Sequence, residues 1–194
     1  GTDPEYDALI FDSIELEAIE KGGDGLDYQD MVFHTGFQQK YQLGLSGGNE
    51  TVRYNVSGNY FDQKGIVVGE SFKRYSIRTN LDFTISRVVS AGISVLLSQS
   101  VNSRKSNDAN GSVFQAFQSS PLGKMYNDDG TPRFSVTQDG LLLNPMADYI
   151  WDSYRWDDKR WTGLVNAFTE FKILPELTYR LNLGTNFNLR TTKD

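Results

Sequence analysis

Residues 45–83 read LSGGNETVRYNVSGNYFDQKGIVVGESFKRYSIRTNLDF, three consecutive runs in which polar and apolar residues alternate and turn-forming residues join one run to the next. Side chains on a strand point alternately to opposite faces. Val52, Tyr54, Val56 and Tyr60 therefore share one face, and Arg53, Asn55, Ser57 and Asn59 share the other. One face is apolar and the other polar, which is the pattern of β-hairpins.

Working outward, the same pattern predicts about six strands of roughly ten to thirteen residues, near the length that crosses a bilayer at a tilt. They fall at about 37–46, 51–61, 72–83, 88–101, 162–173 and 177–190. Apolar faces run through Tyr41 and Leu43, Val52 and Val56, Ile77 and Leu81, Ile93 and Val95, Val165 and Phe171, and Tyr179, Leu181 and Leu183. The opposite faces collect Arg53, Asn55, Arg74, Arg78, Asn80, Asp82, Asn166, Glu170, Arg180 and Asn182, a lining suited to a water-filled lumen. In the last hairpin the faces superpose only if Ile173 lies opposite Leu177, Phe171 opposite Tyr179 and Glu170 opposite Arg180.

The connections alternate in length as well. Those at 47–50, 84–87 and 174–176 are short, whereas those at about 62–71 and 102–161 are long. Outer-membrane barrels have short periplasmic turns and long extracellular loops, so the long segments are expected outside. A connection as long as 102–161 is expected to hold a helix or small hairpins, with a turn at Asn127-Asp128-Asp129-Gly130-Thr131-Pro132. Six strands do not close a barrel, because about eight is the small-barrel size and only closure removes exposed edges. The expected fold class is all-β: an antiparallel transmembrane β-barrel segment with long extracellular loops, part of a larger barrel.

Four stretches carry a family resemblance. Residues 46–83, together with SAGISVLLS at 90–98 and FTEFKILPELTYRLNLGTNF at 168–187, resemble the early barrel of the SusC/RagA family of TonB-dependent outer-membrane transporters. The preceding DYQDMVFHTG at 27–36 resembles that family's W-Q-D-x-[IV]-F-x-x-G motif, with Tyr28 standing where the family usually has Trp. The resemblance spans most of the chain and is weaker between 102 and 161. It implies a protein of the cell outer membrane that imports a bulky nutrient, an oligosaccharide or a peptide. It further implies a SusD-like surface lipoprotein as partner, TonB acting through a plug region that these 194 residues do not contain, and membrane lipid around the wall. The chain itself reads as a fragment that contributes wall and loops.

Composition narrows the alternatives. A formal net charge of -6 argues against a nucleic-acid partner, which requires a basic footprint. With no cysteine there is no disulfide framework, thiolate metal site or catalytic thiol. No run reaches the roughly 18 apolar residues of a transmembrane helix. The mean hydropathy of -0.46 decides nothing, since a barrel strand is only half apolar.

Residues 1–36 form a separate N-terminal region, a loop or short helix, ahead of the strands and loops of 37–194. Pro4 suits a first helical turn and the early carboxylates complement a helix dipole, but SIELEAIE at 13–20 alternates and permits a strand equally. Gly22-Gly23-Asp24-Gly25 ends either element.

Candidate sites are few. His34 is the single histidine, so no His-based triad or multi-histidine zinc site can form, and it reads as structural or solvated. Asp24, Asp27 and Asp30 faintly suggest calcium ligands, but their register does not fit an EF-hand loop. Pairs for glycoside hydrolysis drawn from Glu15, Glu17, Asp148, Asp152, Asp157 and Asp158 have nothing to separate their environments, so no enzyme and no cofactor is expected. The sequons at Asn49, Asn55 and Asn110 read as chance. The most site-like feature is the aromatic group Tyr149, Trp151, Tyr154, Trp156 and Trp161 among Asp and Arg residues. Two readings of it stay open: a platform that stacks on sugar rings or docks a partner, or an interfacial belt with ordinary loop packing. The alternative to a transporter is a soluble β-sandwich that binds carbohydrate through exposed aromatics, its apolar faces packed sheet on sheet.

Overall fold

The computed structural model describes residues 4–105, 111–140, 142–152 and 154–193. Helices α1 (Pro4–Ile10), α2 (Ser13–Glu20) and α3 (Tyr28–Val32) precede strands β1 (Phe37–Gly48), β2 (Val52–Lys64), β3 (Ser71–Thr84) and β4 (Val89–Arg104). Helices α4 (Ser112–Gln118) and α5 (Ala147–Ile150) follow, and then β5 (Trp156–Leu174) and β6 (Leu177–Lys193).

The ambiguous SIELEAIE segment is helical, and its cap is the reason. Asp12 Oδ1 accepts from the backbone N–H groups of Ile14 and Glu15 at 2.8 and 3.0 Å, while Glu15 Oε2 accepts from the Asp12 N–H at 2.9 Å. A reciprocal pair three residues apart satisfies two orphan donors only at a helix start. Gly22, at φ +63°, then closes the helix in the left-handed region that glycine enters without strain. Asp27 caps α3 in the same way, accepting from the N–H groups of Gln29 and Asp30.

All six strands form one sheet in chain order, each antiparallel to the next. The registers join into rows that cross it. Tyr41, Tyr60, Tyr75, Gln99, Trp161 and Leu189 lie in one such row, with the Tyr41–Tyr60 and Tyr60–Tyr75 rings 6.3 and 5.0 Å apart. One step toward the long connections, the same face turns polar at Gln39, Asp62, Lys73 and Lys159. From the Trp161 row to Phe171 is roughly 33 Å of strand, or about 25 Å of height at the usual barrel tilt, which is the height of a lipid-facing band. Among the described residues, no charged side chain stands on that face between those limits. The face is also uncovered: Leu43 is 82% and Leu183 66% exposed.

Burial is found elsewhere. Tyr28 and Val32 of α3 pack with Ala116 of α4 and with Met125 and Val136 of the β4–β5 connection, Val32 and Val136 being wholly buried. Phe33 bridges to Val67, and the Val68 N–H donates to Val32 O, so the β2–β3 connection joins the same layer. The N-terminal segment and both long connections thus meet at one end of the sheet, and the three short turns lie at the other.

Three expectations need correction. The sandwich alternative does not hold, because one sheet forms and its apolar face meets no second sheet among the described residues. Strand β5 begins at Trp156 rather than near 162, and Trp156 and Trp161 belong to the wall instead of the loop. Ile173 does not face Leu177: the register shifts between Lys172 and Leu174, Leu174 pairs with Leu177, and Ile173 is the extra residue of a bulge. The other two pairs of that hairpin, Phe171 with Tyr179 and Glu170 with Arg180, stand as expected.

Candidate functional site

The polar face of the sheet and the layer above its long-connection end are the two surfaces with chemistry. On the polar face, a hollow of about 490 Å³ is lined by Asn80, Asp82, Ser94, Asn166, Phe168, Arg180 and Asn182. Ser94 Oγ donates to Asn80 Oδ1 at 2.7 Å across the β3–β4 ladder. Phe168 lies flat against its neighbour strand because Gly92 is its cross-strand partner. A Cβ there would come within 2.3 Å of the Phe168 ring. The exposed ring face carries the Arg180 guanidinium at 4.0 Å. Nearer the long connections, a groove of about 380 Å³ is lined by Lys40, Gln42, Asn59, Phe61, Arg74, Ser76 and Arg78, among others. Beyond it Arg104 covers the Trp156 ring at 4.4 Å, and the buried Asp158 accepts from Arg190 at 2.8 Å.

In the layer, buried Asn144 acts as a hub. Its Nδ2 donates to the carbonyls of Met125 and Arg133 at 3.2 and 3.0 Å, and its Oδ1 accepts from the Met146 N–H at 3.0 Å. Asp12 ties α2 to the layer by accepting from the Gln138 N–H, and Gln138 Nε2 donates to Ser13 Oγ at 2.6 Å. Burial pushes the Asp12 carboxyl up, but the backbone donors of Gln138, Glu15 and Ile14 outweigh it and hold the group below its ordinary value. The Tyr28 hydroxyl is buried with no hydrogen-bond partner, and burial pushes its pKa up to about 12.

The five aromatics do not form one cluster. Tyr149, on α5, packs beside Gly69 of the β2–β3 connection, where an added Cβ would lie 3.1 Å from its ring. Trp151 is exposed at the end of α5, its ring 6.2 Å from Phe134, an exposed partner that the sequence reading missed. Tyr154 is half-buried in the connection just before β5. Trp156 faces the polar side against Arg104, whereas Trp161 lies in the aromatic row of the apolar side. Tyr149 and Trp151 thus belong to the layer and Trp161 to the outer wall.

The remaining candidates take structural roles. His34 Nδ1 lies 3.1 Å from Ile66 O. Asp27 is the α3 cap, Glu17 pairs with Lys21, Asp152 with Lys105 at 2.8 Å and Asp157 with Arg155 at 3.4 Å. Asn49 Oδ1 accepts from the Thr51 and Val52 N–H groups in the first turn, and Asn55 sits within β2. Asn110 lies outside the described residues. Among the described residues no cluster of His, Asp and Glu could hold a metal ion.

No protein-family model matches the sequence. TonB-dependent receptor P3 of Formosa agariphila is 33% identical over 181 residues, which cover 87% of this chain and 17% of that protein. TonB-dependent receptor SusC of Bacteroides thetaiotaomicron is 32% identical over 89 residues, covering 41% of this chain and 9% of that protein. The chain therefore spans less than a fifth of the length of these curated relatives, which are named as receptors and not as enzymes. Among solved structures, the RagAB peptide importer in its open-open state matches 99% of this chain and 23% of its own, with a TM-score of 0.72 at 18% identity. Its closed-closed state matches 87% of this chain and 19% of its own, with a TM-score of 0.70 at 21% identity. A single six-stranded antiparallel sheet, bare on its apolar side and matched in sequence and fold to part of receptor barrels, fits a fragment of a SusC/RagA-like TonB-dependent receptor.

Proposed function

We propose that this chain forms part of the wall of an outer-membrane TonB-dependent transporter. The observation that carries the reading is the sheet with an uncharged, exposed apolar face and a polar opposite face. Such a sheet is at home with lipid on one side and water on the other. Residues 37–194 supply strands and loops, and residues 1–36 join the loop layer at the extracellular end. Strands elsewhere in a longer protein pair with β1 and β6 to complete the cylinder. The cargo is a bulky nutrient, an oligosaccharide or a peptide. A SusD-like lipoprotein caps the loop layer, and TonB acts from the periplasm through a plug.

Within this reading Tyr149 and Trp151, with Phe134 and Tyr154, offer the loop layer's contact to cargo or cap. Trp156 lines the lumen and Trp161 anchors the wall at the membrane interface. The native protein, extracted from outer membranes, is expected near roughly 100 kDa, the order for a twenty-two-stranded barrel with its plug. Its uptake of cargo is expected to stop when TonB is deleted. A detergent-free monomer in the soluble fraction would overturn the proposal.

A further inference from the structure

The wet face divides its charge unevenly. In the half toward the short turns, Arg53 stands across from Asp82 and Arg180 from Glu170, with Lys172 beside them, so two carboxylates offset two of the three cations. In the half toward the long connections, Lys40, Arg74, Arg78, Arg104, Arg160 and Arg190 share the face with Asp158 alone among the described residues. The chain as a whole carries -6, so this half-face runs against its own composition. The groove is the densest part. One row places Lys40, Phe61 and Arg74 side by side, the next Gln42, Asn59 and Ser76, and the next Ser57 and Arg78. Arg74 and Arg78 stand four residues apart on one strand, roughly 13 Å, with Lys40 two strands from Arg74, roughly 10 Å. No Asp or Glu lines the groove.

We infer that this groove is a cargo subsite for an acidic oligosaccharide, a sugar chain bearing carboxylates, which names the substrate class of the transporter proposed above and rests on that reading. Guanidinium forks match carboxylates in bidentate geometry, and three cations at these spacings fit charges repeated along a chain better than a single anion. Between the cations lie amides and hydroxyls, which donate to and accept from sugar hydroxyls. Phe61, with Arg74 5.6 Å from its ring centre, adds an apolar surface for a ring face. An acidic peptide is the weaker fit. Extended peptides are held by adding to an open strand edge, and β2 and β3, which floor the groove, are paired on both sides.

The test measures binding of a galacturonate hexamer to the complete receptor purified in detergent, against the same hexamer after carboxyl reduction and against hexaglutamate. The acidic hexamer is expected to bind at least roughly tenfold more tightly than the reduced one, about the effect of one charge-assisted contact, and to lose that advantage at high salt. Arg74→Gln with Arg78→Gln should abolish the preference. Should that double variant fail to assemble, Lys40→Gln and the salt titration of the unaltered receptor read the same preference. Equal binding of the reduced hexamer, an unchanged double variant, or tighter binding of hexaglutamate would each overturn the inference. Outer-membrane fractionation and TonB-dependent uptake are read separately: their failure sinks the transporter proposal, whereas their success without a charge preference sinks only this subsite.

Discussion

Arg180 lies directly across the last hairpin from Glu170, its guanidinium 3.7 Å from the carboxylate and stacked over Phe168. Both side chains keep access to solvent, so the attraction is that of a cross-strand pair and not of a buried one. A double-mutant cycle with Glu170→Gln and Arg180→Gln, read from unfolding of the complete barrel, should give a coupling of roughly 0.2–1 kcal/mol. A coupling above about 2 kcal/mol would mean that the face is dry.

The two faces of β5 should answer to charge in opposite ways. Val165→Arg, on the apolar side midway up the wall, should cost roughly 2–4 kcal/mol in folding into vesicles, and Asn166→Arg, its neighbour on the wet side, under about 1 kcal/mol. Equal costs at the two positions would contradict the lipid-facing assignment.

The tryptophans should separate by readout. Trp161→Ala is expected to slow or weaken insertion into vesicles while leaving cargo binding near its original level, since its row marks the membrane interface. Trp151→Ala should do the reverse, weakening capture of cargo or cap by about tenfold, on the order of 1.4 kcal/mol, without changing insertion. Insertion kinetics and equilibrium binding on the same two variants check both halves.

Tyr28→Phe removes a buried hydroxyl that has no partner, so it should be neutral or stabilise the loop layer by roughly 1–2 kcal/mol. Tyr28→Ala should cost about 3–5 kcal/mol by leaving a cavity beside Val32 and Val136. Hydrogen exchange of the layer in the complete receptor measures both; a Phe variant that opens faster would show that the hydroxyl is bonded in solution.

Asp12 sets a pH response. Its carboxyl is held below the ordinary 3.8 in the folded state, so its contribution is fully present above that value and is lost as pH falls through the lower, folded one. Protection of the Gln138 N–H, which donates to this carboxylate, measured against the free-amide exchange rate at each pH, should therefore be full at neutral pH and fall in acid below about pH 4. Asp12→Asn should show the lower protection at every pH and flatten the profile.

Alternation made the wall legible because each strand between the two rims carries one apolar and one polar face. It failed where alternation stops being about polarity. Trp156 to Arg160 reads as a charged loop, yet its even positions face the lumen and Asp157 and Lys159 stand on the outer face above the aromatic row. Charge on both sides of a strand hides it from a hydropathy reading. The bulge at Ile173 was equally hidden, since an inserted residue leaves the composition of a run unchanged.

The loop layer was legible only in pieces. The helix of α2 was undecided until the Asp12 and Glu15 cap fixed it. The core that joins Val32 to Val136 draws on residues about a hundred positions apart, and no local period announces such a contact. The wet-face cations were each visible, but their concentration in one half follows from registers that only the paired strands define.

At one rim the strands are held together by turns of a few residues; at the other, α3, the β2–β3 connection and the β4–β5 connection are buttoned through Val32 and Val136. That rim is a clasp, in which packed side chains join segments of chain that lie far apart in sequence. A load that parts those two valines would let the strand tops spread while the turns below hold their spacing, so the mouth would widen as a funnel instead of the cylinder dilating along its length. Melting should follow the same division, the clasp releasing in a first transition and the wall surviving to a second.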